Sequence, residues 1–472
     1  MTESRLWLLC DARATHRQGR VAIAQRQHER FAGMVTFARA RSPFYRRLYQ
    51  HLPEHVTDPT MLPVTSKAEL MSHFDDWVTD REATLSAARA FVGDPALVGE
   101  KFRGRYTVGT TSGTTGTRGI FLLDERSLAV TTALLARLLS AWLTPADLLR
   151  IIARGGRVAM ITATGGHYAS AAAAAALRRN RFGRSRIGVF GVHTPMTQLV
   201  SGLNRLRPAI LAPYATMGAL LAAEQRAGRL HIDPALVVLS AEGLPAGEHD
   251  TISAAFGAKV RQGYAATECP FLTYSCQYGW LHVNSDWVLL EPVDAAHRPL
   301  PPGQTSHTTL LSNLANRVQP ILRYDLGDVV FVRPDPCPCG DPLPAIRVQG
   351  RTADLLAFHT PAGASVTLPS LTITSLLDRV PGVELFQLVH TAPAHLEVRL
   401  QPAAGTDPEH VRQMVHAEIR RLLGDRGLDH VIVARGEGPP QPTPGGQVPR
   451  GDPAALTGYE ASVLSRRGGS RA

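Results

Sequence analysis

The stretch Tyr106-Thr-Val-Gly-Thr-Thr-Ser-Gly-Thr-Thr-Gly-Thr-Arg-Gly119 is the sharpest local feature of the chain. It sets Thr110, Thr111, Ser112, Thr114 and Thr115 among glycines that include Gly113 and Gly116, with Arg118 close behind. Glycines let a backbone approach a ligand closely, and successive amides form a nest for an anion. Hydroxyls add donors that fit phosphate oxygens, and the arginine adds a cation. The string reads as a phosphate cradle. It is not a Walker loop, since Gly-Lys-Ser/Thr occurs nowhere, and no GxGxxG follows a strand.

Downstream of this loop, short apolar runs alternate with helical patterns. Strands are expected at Arg157–Thr164, Ile187–Val192, Ala209–Pro213, Leu236–Ser240 and Lys259–Tyr264. Helices are expected between them at Tyr168–Arg178, Met196–Leu206, Met217–Ala227 and Glu248–Phe256. Such alternation argues for βαβ crossovers and a covered parallel sheet, hence an α/β fold. Upstream, residues 14–50 read as helical, with Val21, Ile23, Phe31, Met34 and Phe37 at helical spacing and a break at Ser42-Pro43. From 281 to 333 the chain turns strand-like. After Arg351 follows a region of mixed elements with a helix near Pro408–Leu423. The expected division is a large unit of residues 1–350 and a small mobile α+β unit of 351–472, hinged near Asp354, with a disordered tail at 465–472.

At 472 residues with 44% hydrophobic content, the chain can bury a large core, so wholesale disorder is excluded. Its formal net charge of +10 prompts a nucleic-acid reading, but the arginines are scattered with no run longer than two. Scattered arginines read as a solvated surface, and no nucleic-acid partner is expected. No uncharged apolar run approaches the ~18 residues of a membrane span, so no membrane partner is expected either. The patch Leu6–Cys10 is too short for a signal-peptide core, and a cytoplasmic location is expected. The five cysteines then read as reduced thiols or metal ligands.

Four further segments follow the loop in order: Ala241-Glu242-Gly243, Gly263-Tyr-Ala-Ala-Thr-Glu268, Arg323-Tyr-Asp-Leu-Gly-Asp328 and Gly350-Arg-Thr-Ala-Asp354. With Thr111-Ser-Gly-Thr-Thr-Gly116, these five resemble the ordered motifs of the adenylate-forming enzymes, the superfamily of acyl- and aryl-CoA ligases, adenylation domains and luciferases. Residues Phe37–Asp80 resemble the phenylacetate–CoA ligase subgroup. The resemblance implies ATP/AMP and Mg²⁺ as cofactors. It implies a large AMP-binding domain followed by a small domain that rotates between half-reactions. In this reading Ala241, Glu242 and Gly243 contact adenine, Tyr264 stacks on it, and Asp328 and Arg351 hold ribose.

The residue chemistry agrees. Carboxylate activation by ATP needs a phosphate cradle, a metal ligand and a ribose anchor. Thr115 and Thr267 offer hydroxyls to phosphate, and Glu268 is a hard oxygen ligand suited to Mg²⁺. Tyr264 offers a flat face, and Asp328 can accept from both ribose hydroxyls. His167, in Ala163-Thr-Gly-Gly-His-Tyr168, falls by resemblance at the acyl pocket, where flanking glycines leave room for a flat aryl acid. The expected partners are an aryl acid and an acceptor thiol, CoA among them, or an amine. A homodimer is left open.

Cys276-x₅-His282 and Cys337-x-Cys339 supply four soft or borderline ligands, and Cys337-Pro-Cys339-Gly340 is a tight turn that can aim two sulfurs at one ion. A closed Cys₃His set is the chemistry of a structural Zn²⁺ site. Phenylacetate–CoA ligase-like proteins carry similar cysteines here. Cys269, beside Glu268, reads as a small lining residue.

One feature departs from the family. Near its C-terminus the family carries a lysine that contacts the carboxylate and the α-phosphate. In Pro442-Thr-Pro-Gly-Gly-Gln-Val-Pro-Arg450, Gln447 stands in that place. Only three lysines occur in the chain, and none follows Lys259. A replacement cation must come from Arg450, Arg118 or a lysine of the large domain. Three readings stay open: adenylation with a substitute cation, use of a preformed acyl-adenylate for the second half-reaction only, or a specialised relative that forms an amide or a heterocycle.

Overall fold

The computed structural model describes residues 3–111, 119–162, 167, 174, 185–192, 194–240, 247–351, 355–361, 365–369, 376–377, 380–438, 440 and 461–466. The chain enters through helices Arg5–Gln18, Arg20–Arg41 and Pro43–Leu48. The Ser4 side chain accepts from the Trp7 amide to cap the first. Gly19 at φ 85° separates the first two, because a left-handed turn there is cheapest for glycine. Ser42 caps the third with Pro43 in its first turn. Helix therefore begins nine residues before the expected start at 14 and absorbs the patch Leu6–Cys10. Ile23, Phe31 and Met34 are buried as their spacing predicts, but Val21 is 81% exposed, since the stripe rotates away from the core at the helix start.

The central sheet has five parallel strands. From edge to edge these are Ile187–Gly191, Val158–Thr162, Ile210–Pro213, Leu236–Leu239 and Lys259–Gln262. Helices Met196–Leu206, Ala215–Arg226 and Glu248–Phe256 pack on it through Leu199, Leu203, Leu221 and Ile252. Three of the expected strands end one or two residues early, the first is described as far as Thr162, and two helices match their expected bounds. The expected helix Tyr168–Arg178 lies outside the described residues, apart from helical Ala174. In an open parallel sheet ligands bind beyond the carboxyl ends of the strands. Here those ends lead into the segments that hold His167, Ala241–Gly243 and Tyr264–Glu268.

Two antiparallel sheets follow. Strands Val288–Val293, Thr308–Asn313 and Ile321–Asp325 form one. The other runs in the order Asp328–Val332, Ala345–Arg351, Leu281–Val283, Thr273–Ser275. Helix Glu125–Trp142, which the sequence reading passed over, buries Arg137 against Asp286, whose side chain is fully buried. Beyond residue 355 a separate core forms from Leu356, Phe358, Phe386, Leu388 and Leu396, together with Val411, Val415, Ile419 and Leu423 of helix Pro408–Gly424. Strand Ala461–Arg466 pairs antiparallel with Val383–Ala392, so Ser465 and Arg466 belong to a sheet rather than to the expected disordered tail. Residues 467–472 lie outside the described residues.

Candidate functional site

The Gly/Thr segment is a hairpin. Thr107–Thr110 pairs antiparallel with Ile120–Leu123, placing Thr110 opposite Ile120. Thr111 closes the neck: its amide donates to the Gly119 carbonyl at 3.1 Å, and its hydroxyl oxygen accepts from the Gly119 amide at 2.9 Å. Ser112, Gly113, Thr114, Thr115, Gly116 and Arg118 lie outside the described residues. The outer edge of Ile120–Leu123 is satisfied by side chains instead of a strand. Gln319 accepts from the Leu122 amide at 2.6 Å, and Asn316 donates to the Leu122 carbonyl at 2.8 Å. Asp124 then caps helix Glu125–Trp142 and also accepts from the amides of Arg317 and Val318.

His167 is buried at 2% exposure. Its carbonyl accepts from the Thr110 amide at 2.7 Å, and its ring Nε2 lies 3.2 Å from the Asp94 carbonyl oxygen. The ring packs on Phe91 with centroids 5.2 Å apart. His167 thus joins the root of the hairpin to the carboxyl edge of the parallel sheet, with aromatic carbon on one side.

On the other side of that edge, the Thr273 hydroxyl accepts from the Tyr264 amide at 3.0 Å and donates to its carbonyl at 3.1 Å. A tight turn, with paired bonds between Ala266 and Cys269, puts Thr267 and Glu268 at its tip. The Glu268 carboxylate is buried and accepts from the Tyr324 hydroxyl at 2.8 Å. The Tyr264 hydroxyl donates to Asp328 Oδ2 at 2.6 Å. Asp328 in turn sits directly opposite Arg351 in its strand pair, although the Arg351 side chain lies outside the described residues. Tyr264, Asp328 and the Arg351 backbone, scattered in sequence, therefore meet. Ala241, Glu242, Gly243, Gln447 and Arg450 lie outside the described residues. Mg²⁺ sites ordinarily take one or two carboxylates plus substrate phosphates. The buried carboxylate of Glu268, one oxygen already held, fits that donor set. Burial pushes the Cys269 thiol far above its usual range, which leaves it a lining residue and not a nucleophile.

Cys276, His282, Cys337 and Cys339 converge, with ligand atoms all within 4.8 Å of one another. Cys276 and Cys337 sulfurs are 3.7 Å apart, and Cys339 Sγ is 3.2 Å from His282 Nε2. Tetrahedral bonds of about 2.3 Å to sulfur and 2.0 Å to nitrogen put ligands roughly 3.5–3.8 Å apart, so the set fits Zn²⁺. His282 Nδ1 lies 3.1 Å from the Leu343 carbonyl, which fixes the tautomer with Nε2 toward the sulfurs. Burial, with help from neighbouring thiols, pushes the Cys339 thiol up to about 12. For His282 burial works against the charge, but the Cys276 thiol and Asp341 outweigh it and raise the imidazole. Cys276, Cys337, Cys339 and His282 would hold a divalent cation as thiolates and a neutral imidazole, and the bound charge would relieve this competition. Asp341 accepts from Tyr274 at 2.6 Å and lies 3.1 Å from His16, tying the ligand loop to the first helix.

Sequence reasoning quoted Tyr324 within the segment Arg323–Asp328 but gave it no role, and it missed Asn313, Asn316 and Gln319. Their partners lie 45 or more residues away, or on backbone atoms, so no local pattern marks them.

No protein-family profile matches the chain. Its sequence is 25% identical over 357 residues to phenylacetate–coenzyme A ligase of Thermus thermophilus, covering 71% of each protein. Among solved structures, 2-hydroxyisobutyryl-CoA ligase in the postadenylation state, in complex with 2-HIB-AMP, superposes with a TM-score of 0.63 at 21% identity, covering 88% of this chain and 85% of that one. An ATP-bound RpMatB–BxBclM chimera gives a TM-score of 0.51 at 17% identity, covering 72% of this chain and 66% of that one. The chain therefore shares the fold of these adenylate-forming enzymes. In sequence it is similar to phenylacetate–coenzyme A ligase.

Proposed function

We propose that this protein is an AMP-forming ligase that activates an aromatic carboxylic acid with ATP and passes the acyl group to CoA or an amine. In the first half-reaction a carboxylate oxygen attacks the α-phosphorus and pyrophosphate leaves. In the second, the acceptor attacks the acyl carbon, loses its proton and expels AMP. Sites of this kind work by positioning and by stabilising developing charge. The hairpin rooted at Thr110 and Thr111 cradles the phosphates. Thr267 donates to a phosphate oxygen, and Glu268 would hold Mg²⁺, which neutralises phosphate charge when bound. Tyr264 and Asp328 receive adenosine, and His167 with Phe91 borders the acyl group, whose flat shape suits that wall. The carrying observation is the meeting of Tyr264, Asp328 and Glu268 at one sheet edge.

The Cys₃His cluster is assigned a structural Zn²⁺. The division into a large unit ending near 350 and a small one beyond it is supported by the separate core after residue 355. Pyrophosphate–ATP exchange with a panel of aryl and aliphatic acids tests the activity: exchange with aryl acids is expected, and none with any acid refutes adenylation. Gln447 favours a second reading, transfer from a preformed acyl-adenylate without efficient adenylation. Loss of a cation facing the reacting phosphate costs several kcal/mol in transition-state stabilisation. Gln447→Lys is then expected to raise exchange at least ~10-fold, as one restored electrostatic contact would. An equal rate would mean that Arg450, Arg118 or another cation already fills the place.

A further inference from the structure

Glu268 is gripped at two points by two adjacent strands. Asn313, at the end of Thr308–Asn313, donates from its amide nitrogen to the Glu268 carbonyl at 3.0 Å. Tyr324, in the neighbouring strand Ile321–Asp325, donates its hydroxyl to Glu268 Oε1 at 2.8 Å. Tyr324 is 1% exposed. Its ring meets Phe121 edge-on with centroids 6.4 Å apart, and Phe121 lies on the strand that leaves the phosphate hairpin. On the other side its backbone bridges to Thr65. A phenol held this firmly is a fixed donor. A side-chain carboxylate with one oxygen so bound loses its free rotation. Among the described residues no donor reaches the second oxygen.

We infer that Tyr324 is a positioning residue for metal–nucleotide binding: its hydroxyl fixes one oxygen of Glu268 and so reserves the other for the divalent cation that accompanies ATP. The inference rests on the adenylate-forming reading of the site. Its physical basis is preorganisation. An unfixed carboxylate must give up rotational freedom when it meets a cation, and one already oriented has less to lose. Because Phe121 packs against the same ring, the hairpin and the metal ligand share one rigid support.

The test is Tyr324→Phe, which keeps the ring and its packing and removes only the hydroxyl. Mn²⁺ binding in the presence of ATP, read by electron paramagnetic resonance, is expected to weaken about tenfold, the effect of losing one hydrogen bond to a charged group. ATP affinity without divalent metal is expected to stay within about twofold, as is exchange at saturating Mg²⁺, while the Mg²⁺ concentration for half-maximal exchange rises. In a Glu268→Gln background, Tyr324→Phe is expected to add less than about twofold, because the two act through one contact. A merely structural role would lower ATP affinity and saturated exchange together and would persist in that background. Unchanged Mn²⁺ affinity in Tyr324→Phe overturns the inference. Parent protein that fails to exchange with any acid overturns the proposed activity, and the Mn²⁺ measurement then judges Tyr324 alone. Parent that binds neither ATP nor Mn²⁺ overturns both.

Discussion

Stripping the metal from the Cys₃His cluster is expected to lower the stability of the large unit by several kcal/mol. Cys276 and Cys337 are 61 residues apart in sequence, and His282 and Cys339 are 57 apart. A cation bound by all four closes a loop of that length. The entropy of closing about 60 residues corresponds to roughly 4 kcal/mol at 25 °C by the relation used for covalent cross-links. For a unit larger than ~200 residues this moves the thermal midpoint by up to about 10 °C. The effect should also reach the nucleotide. His282 pairs with Ala345, on the strand that ends at Arg351, and Tyr274, opposite His282, follows Thr273, which anchors Tyr264. The assay is zinc content of protein purified without chelator, followed by thermal unfolding under reductant with and without chelator. About one zinc per chain is expected, with a lower midpoint and weaker ATP binding after removal. Cys337→Ser should reproduce the loss, and Cys10→Ser, at an exposed thiol, should not. Protein that carries no zinc, or midpoints that coincide with and without chelator, would refute the reasoning.

Gly119→Ala should both destabilise the protein and weaken nucleotide binding. A Cβ there meets Phe121 Cε2 at 2.5 Å and Thr111 Oγ1 at 3.0 Å, and the buried Phe121 ring is itself packed against Trp77. Overpacking of this kind costs about 1–3 kcal/mol, so urea unfolding and ATP titration should both move; a variant matching the parent in both would exclude a rigid neck. Arg137→Met takes from the fully buried carboxylate of Asp286 its 2.8 and 2.7 Å hydrogen bonds and leaves it only the longer 3.7 Å pairing with Arg30. A loss of about 3–5 kcal/mol is expected, read as a lower urea midpoint at unchanged slope. The Lys259 ammonium, then the Thr144 hydroxyl, hold the Asp147 carboxyl well below the usual range. A depressed folded-state pKa contributes stability above the unfolded value near 4 and loses it as pH falls below. Parent should therefore exceed Asp147→Asn by about 1 kcal/mol at neutral pH and converge with it in acid, and a gap constant down to pH ~2 would count against this ion pair.

Much of the architecture was legible because its causes are local. Helices Met196–Leu206 and Glu248–Phe256 match their expected bounds, since a 3.6-residue stripe and flanking breakers specify them without help. The sheet strands are buried apolar runs, and their existence and order followed from alternation. Their ends did not, because a strand stops where its neighbour stops pairing. Val21 shows the limit from the other side. Its spacing assigned it to a core, but which face of a helix is buried depends on what packs there.

The sequence by itself determined the chemistry available: a Gly/Thr loop, an ordered set of nucleotide-type segments, four metal-suited ligands, and a C-terminal part with no lysine at all. These are properties of residue type and order, which folding does not alter. Only the tertiary structure decided which of them cooperate. It joined Tyr264 to Asp328 across 64 residues and closed Cys276 on Cys337 across 61. It also recruited Asn313, Asn316 and Gln319 as supports that no motif announces, and gave Tyr324, inside a quoted segment, a partner the segment does not name. The physical reason is that a hydrogen bond reaches about 3 Å, whereas chain separation says nothing about distance once a sheet has brought its strands together.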